Sequence, residues 1–142
     1  MVLPDVNVLL YAFRTDAPNH EAYRDWLNGL ISADTSFAVT DLTLSAFLRI
    51  ATHPRIFDPP TPLSKAILFA EALRSEPNCI VIAPGNRHWS VFCKLCREAN
   101  ARGNLIPDAY LAALAIESGC ILATTDRDFS RFADLQWRCP VS

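Results

Sequence analysis

Apolar positions along this chain alternate between short unbroken runs and longer stretches at helical spacing. The runs "MVLPD", "SFAVT", "NCIVIA" and "CILATT" are too short for helices and read as strands, "NCIVIA" as a clear buried one. "LQWRCP" adds a last strand at a sheet edge. Between them, "NHEAYRDWLNGLIS" places Ala22, Trp26, Leu27 and Leu30 on one face of an amphipathic helix. Helices are also predicted from about Asn7 to Arg14, over "LTLSAFLRIATH", over "LSKAILFAEALRSE" and from about Arg87 to Arg102. "DAYLAALAIESG" is another, with Asp108 at its cap and Gly119 just past its end. Pro54 stops the third of these helices, and the four prolines of "PRIFDPPTPLS" mark a loop within one pattern. "GNLIP" reads as a loop, and "DRDFSRF" begins a turn or helix.

Strands that alternate with helices need crossover connections, so the sheet is mainly parallel and covered on both faces. The expected class is α/β, in three α/β/α layers. The 142 residues fit a single domain, 1–142, and repeats and low-complexity segments are absent from the sequence.

Hydrophobic residues make up 51% of the chain and charged residues 20%, which places it among ordered globular proteins. No apolar run approaches the roughly 18 to 20 residues of a membrane span, and no basic stretch leads into an apolar one at the start. A cytoplasmic location is expected. The net charge of −2 removes wholesale basic attraction to nucleic acid. A nucleic-acid enzyme of this charge needs a metal ion or a local group of arginines to meet phosphates.

Five cysteines, Cys79, Cys93, Cys96, Cys120 and Cys139, are scattered through apolar segments and do not form a disulfide framework. Cys93 and Cys96 form a C-x-x-C, but the second pair of a zinc site is missing and the motif lies within a helix. Core packing is the expectation for all five. His88 reads as a helix-start residue.

The chemistry resides in the acids. Ligand sites of open parallel sheets form outside the carboxyl ends of the strands. Asp5 closes the first strand, Asp41 follows the second, Asp126 closes "CILATT" with Asp128 two residues on, and Asp108 opens the preceding helix. Singly, each could cap a helix or shape a turn. Together, Asp5, Asp108 and Asp126 would repel one another unless a cation lay between them. Oxygen ligands favour magnesium or manganese, and such an ion can activate water and neutralise a phosphodiester. Neither G-x-x-x-x-G-K-[ST] nor G-x-G-x-x-G occurs, and the three histidines suggest no Ser-His-Asp set.

The stretches "PDVNVLLYAF", "LSAFLRIATHPRIF" and "IPDAYLAALAIESGCILATTDRDFSRF", with the closing "LQWRCP", resemble the PIN-domain ribonucleases, specifically the VapC-type toxins of bacterial toxin–antitoxin pairs. The resemblance spans nearly the whole chain. It implies a PIN fold with a five-stranded parallel sheet and a Mg²⁺-dependent (or Mn²⁺-dependent) endoribonuclease that cuts a structured RNA such as tRNA or rRNA. It also implies a VapB-like antitoxin whose tail blocks the site, and a toxin homodimer. Asp5, Asp108 and Asp126 match the family's metal-binding aspartates, and Asp128 a further acid near the metal. Asn7, Thr124 or Thr125 would orient a carboxylate or a water.

One position departs from the pattern. Where the family usually carries a glutamate in the helix after the second strand, this chain has Ala46. Asp41 is the nearest acid and the candidate substitute, although it lies five residues earlier, roughly 140° around a helix. Arg49, Arg55, Arg127 and Arg131 are candidate RNA contacts, Arg127 being flanked by two site acids. Trp26, Trp89 and Trp137 are expected in the core. Two rivals remain. A haloacid-dehalogenase-like phosphotransferase would use Asp5 as nucleophile, but Asn7 stands where its second acid should be. A degenerate PIN domain would bind RNA or protein without cutting, as Ala46 would permit.

Overall fold

Five parallel strands form one sheet in the order β3-β2-β1-β4-β5. The computed structural model describes residues 1–141, and element counts refer to these. Strand β1 is Val2–Pro4, β2 Phe37–Thr40, β3 Cys79–Ile82, β4 Ile121–Ala123 and β5 Trp137–Arg138. The helices are α1 (Val6–Phe13), α2 (His20–Ser32), α3 (Asp41–Ala51), α4 (Leu63–Arg74), α5 (His88–Glu98) and α6 (Leu105–Ser118), with a short 3₁₀ helix over Arg127–Arg131.

The centre of the sheet is β1, with Leu3 paired to Leu122 of β4 and Val2 to both Phe37 and Ile121. Successive strand residues point to opposite faces. Phe37 and Val39 accordingly face a core with α1 to α4, while Ala38 faces a second core with α5, α6 and the Phe129–Leu135 segment. This is the expected three-layer α/β/α architecture. Helix α6 is apolar over much of its circumference, and Ala109 and the run Leu111–Ala115 are all buried. It ends where Gly119 turns left-handed at φ 68°, a conformation that costs glycine little.

Four local expectations need correction. "NCIVIA" is not fully buried: β3 pairs only with β2 at the sheet edge, leaving Ile80 44% and Val81 39% exposed. "GNLIP" is not all loop, because Leu105, Ile106 and Pro107 form the first turn of α6. Proline is tolerated there since its missing N–H would have no partner in the first turn. Asp108 is therefore the fourth helical residue and not the cap. Trp89 is 69% exposed on α5 rather than in the core.

The cysteines are all free; Cys120 is buried, Cys79, Cys93 and Cys96 half-buried, and Cys139 exposed, so core packing describes four of the five at best. His88 starts α5 as read, buried, with its Nε2 3.0 Å from the Tyr110 carbonyl oxygen. The proline-rich loop is fastened by Arg14, which donates to the Pro59 carbonyl and to Thr61 Oγ1, pairs with Asp16 and lies over the Phe57 ring. Among the described residues, no helix is long and apolar enough to cross a membrane.

Candidate active site

The parallel sheet delivers Asp5 to its carboxyl-terminal rim. The Asp5 backbone N–H donates to the Ala123 carbonyl, extending the β1–β4 ladder by one rung. The chain then turns into α1, and Asp5 caps it: Oδ1 accepts from the Val6 N–H at 2.7 Å. Oδ2 accepts from the Thr124 hydroxyl, also at 2.7 Å. Each oxygen keeps a further lone pair. The capping role and a ligand role are thus compatible.

Thr124 is fully buried and works in two directions, donating to Asp5 and accepting from the Asp126 N–H at 3.0 Å. Asp126 in turn caps the 3₁₀ helix, its Oδ1 accepting from the Asp128 N–H at 2.9 Å. One chain of hydrogen bonds therefore links the end of β1 to the segment carrying two further acids. Of the three residues expected to orient an acid, Thr124 alone makes a side-chain hydrogen bond to one among the described residues.

Asp108 enters from α6, one turn into the helix. Burial raises its carboxyl to about 6, and the charges of Asp126, Asp5 and Asp128 push the same way. Asp5 is itself raised above the ordinary carboxylate range, chiefly by burial, with Asp126 adding to the shift and the Thr124 and Val6 hydrogen bonds opposing it. Asp108 thus feels the charges of Asp5, Asp126 and Asp128, and Asp5 that of Asp126, across long stretches of sequence.

Asp5 and Asp108 open into one cleft of about 370 Å³ between α1, α3 and α6. Its α3 wall is built on Leu42, Ser45, Ala46 and Arg49, the i, i+3, i+4, i+7 face of the helix, flanked by Thr43 and Ile50. Ala46 confirms that the departing position does face the site, and offers no ligand. Asp41 does not replace it. As the first residue of α3 it turns outward to Arg74, with contacts of 2.8 and 3.2 Å, and it is absent from the cleft wall. Leu42, Ile50 and Leu111 form an apolar part of the wall that the sequence reading did not include; the small residues Ser45 and Ala46, at i+3 and i+4 from Leu42, were the signal for an open helix face there. Arg49 lines the cleft, and Arg127 is exposed beside the acids.

Among the described residues, no group of three His, Cys, Asp or Glu side chains is arranged to hold a metal ion. The donor set nonetheless suits a hard divalent cation. Oxygen donors with unrelieved mutual repulsion favour Mg²⁺ or Mn²⁺ over softer ions. Mg²⁺ commonly takes only one or two carboxylates and keeps its remaining waters. Asp5 and Asp108, both on the cleft wall, meet that requirement.

Comparison with known proteins agrees with this geometry. The PIN domain family model matches residues 2–135. The chain is 47% identical over 136 residues to Ribonuclease VapC25 of Mycobacterium tuberculosis, covering 96% of each. It is 40% identical over 141 residues to the VapC ribonuclease Mb2897 of Mycobacterium bovis, covering 99% of this chain and 96% of that one. Among solved structures, VapBC2 from Rickettsia felis, bound to a DNA fragment from its promoter, superposes with a TM-score of 0.71 at 17% identity over 98% of both chains. Mycobacterium tuberculosis VapC20, a toxin that cleaves the sarcin-ricin loop, gives a TM-score of 0.67 at 15% identity over 96% of this chain and 99% of that one. The chain belongs to the PIN-domain family and, within it, to the VapC ribonucleases.

Proposed function

We propose that this chain is the toxin of a toxin–antitoxin pair, a divalent-cation-dependent endoribonuclease that hydrolyses a structured RNA such as tRNA or rRNA in the cytoplasm, with the whole chain acting as one PIN domain. The observation that carries the reading is the cleft shared by Asp5 and Asp108, where burial and three neighbouring acids raise Asp108 to about 6. Such a site gains from a dication more than from anything the protein itself provides.

Asp5 and Asp108 would hold Mg²⁺ or Mn²⁺, with Asp126 and Asp128 alongside to take its waters or a second ion. The bound ion would supply a more acidic water and positive charge for the phosphodiester. The chain's own residues do the rest. Thr124 and the Val6 N–H fix the Asp5 carboxylate, so its free lone pairs point in one direction. Arg49 and Arg127 add charge where a non-bridging phosphate oxygen would lie. Leu42, Ile50 and Leu111 limit water beside the carboxylates, which strengthens each interaction there.

Kinship with VapBC assemblies supports a VapB-like antitoxin that occupies this cleft. A homodimer is supported by apolar side chains exposed on α4, Leu63, Ile67 and Leu68. One observation favours a second reading, a non-cutting binding module: Ala46 stands in the cleft and Asp41 is engaged by Arg74. Purified protein, incubated with total RNA and Mn²⁺, Mg²⁺ or chelator, separates the two. The nuclease reading expects cleavage with either ion, none with chelator and none by Asp5→Asn. Binding of RNA without cleavage by the intact protein establishes the binding module.

A further inference from the structure

A second cavity, about 410 Å³, shares no lining residue with the candidate active site. Ala99, Asn100, Arg102, Leu105 and Arg131 line it. Both arginines are exposed, and neither guanidinium makes an ion pair or hydrogen bond among the described residues. Ion pairs among the described residues engage Arg14, Arg24, Arg74 and Lys94; other cations of the chain are unpaired too, so what sets Arg102 and Arg131 apart is that they line one hollow together. No acidic residue lines the cavity. Two like charges around one hollow, neither ion-paired, suit an anion from outside.

Position relates this cavity to the acids. Leu105 begins α6 and Asp108 follows three residues later, about 4.5 Å along the helix axis. Arg131 ends the 3₁₀ helix that Asp126 caps and whose first turn holds Asp128. Arg131 thus shares the 3₁₀ helix with Asp128, and Arg102 lies in the connection that leads into the helix of Asp108. Guanidinium forks match the paired oxygens of a phosphate. A strand whose scissile phosphate lay at Asp108 would carry its next phosphates past this hollow.

We infer that the Arg102–Arg131 cavity is a phosphate subsite for the RNA strand flanking the bond that is cut, holding the strand in register while the acids act. This rests on the ribonuclease reading above. A backbone contact of this kind positions the strand and carries little sequence preference.

The test measures binding of a short single-stranded RNA oligonucleotide across a salt series, in Mg²⁺, using the Asp5→Asn protein. Arg102→Gln and Arg131→Gln should each weaken binding and lower the logarithmic salt slope by about 0.7, the value for one phosphate contact on a single strand. The double variant should lose about twice that, Arg131→Lys should retain the slope, and Arg24→Gln on α2 should change nothing. With Asp5 intact, the double variant should raise KM for RNA and leave kcat nearly unchanged, as uniform binding requires. Because neither guanidinium holds the fold, melting temperatures should match the parent. Unchanged affinity and slope in the double variant overturn the subsite, as does a poly-glutamate peptide that loses binding to the double variant while RNA does not. If the intact protein cuts no RNA yet the two-charge slope is found, the subsite stands and the ribonuclease reading falls.

Discussion

The Thr124 hydroxyl stands 2.7 Å from Oδ2 of Asp5, across 119 residues of sequence, and both side chains are buried. The Thr124 hydroxyl oxygen also accepts from the Asp126 N–H at 3.0 Å, so one hydroxyl ties two acid-bearing segments together at the end of β4. The site is held by this pair before any ion or substrate arrives.

Thr124→Val keeps the shape and removes the hydroxyl. Asp5 then loses a donor and the Asp126 N–H its acceptor, and buried polar groups left without partners cost about 1–3 kcal/mol each. Asp5 is the buried one of the two and Asp126 is partly exposed, so chemical denaturation should show a loss of about 1–3 kcal/mol, and RNA cleavage should fall at least tenfold. Thr124→Ser should recover most of both. A Val variant as active as the parent would remove Thr124 from the account.

Asp41 and Arg74 form an exposed ion pair on the outer side of α3. Such pairs contribute little. Asp41→Asn should leave cleavage unchanged and the melting temperature nearly so, and a cleavage assay with matched thermal melts checks both. A large loss of cleavage would return Asp41 to the site.

Stability should depend on pH through Asp108. Its carboxyl lies at about 6 in the folded chain and near 3.8 when unfolded. The folded state thus binds this proton more tightly. The resulting stabilisation is complete below the unfolded value and disappears as pH rises through about 6. Cation-free protein should therefore melt at a higher temperature near pH 5 than near pH 7.5, and Asp108→Asn should lose much of that difference. Asp16, Asp41 and Glu117 are lowered by their hydrogen bonds, so they titrate below this window. Melts of parent and variant in chelator at the two pH values decide it.

Ala46→Glu would add an acid to the cleft wall between Ser45 and Arg49. Without a cation the added charge should lower the melting temperature by repelling Asp5 and Asp108. With Mn²⁺ the variant should gain more stability than the parent, because a further oxygen ligand is on hand. Thermal melts across a Mn²⁺ series read both effects.

Much of this arrangement is legible along the chain. The alternation of short runs with helical segments carried the α/β class, and the strand ends carried Asp5 and Asp126 to one rim. What the sequence hid was tertiary. "NCIVIA" is as apolar as any central strand, yet β3 has a neighbour on one side only, which is a property of strand order and not of composition. Pro107 looked like the end of a loop because a proline in the first helical turn leaves the same local signature as one just before a helix. Asp41 is next to the rim in sequence, and only the position of Arg74, 33 residues on, shows that it turns away. The cleft wall is likewise tertiary: Leu42 from α3 and Leu111 from α6, far apart in sequence, meet there.

The central claim is that Asp5 and Asp108 share a divalent cation, and calorimetric titration of cation-free protein with Mn²⁺ near neutral pH tests it most directly. The account predicts saturable binding to the parent protein and at least a tenfold loss of affinity in both Asp5→Asn and Asp108→Asn. Equal Mn²⁺ binding by the parent and by the double variant, with both folded, would contradict it.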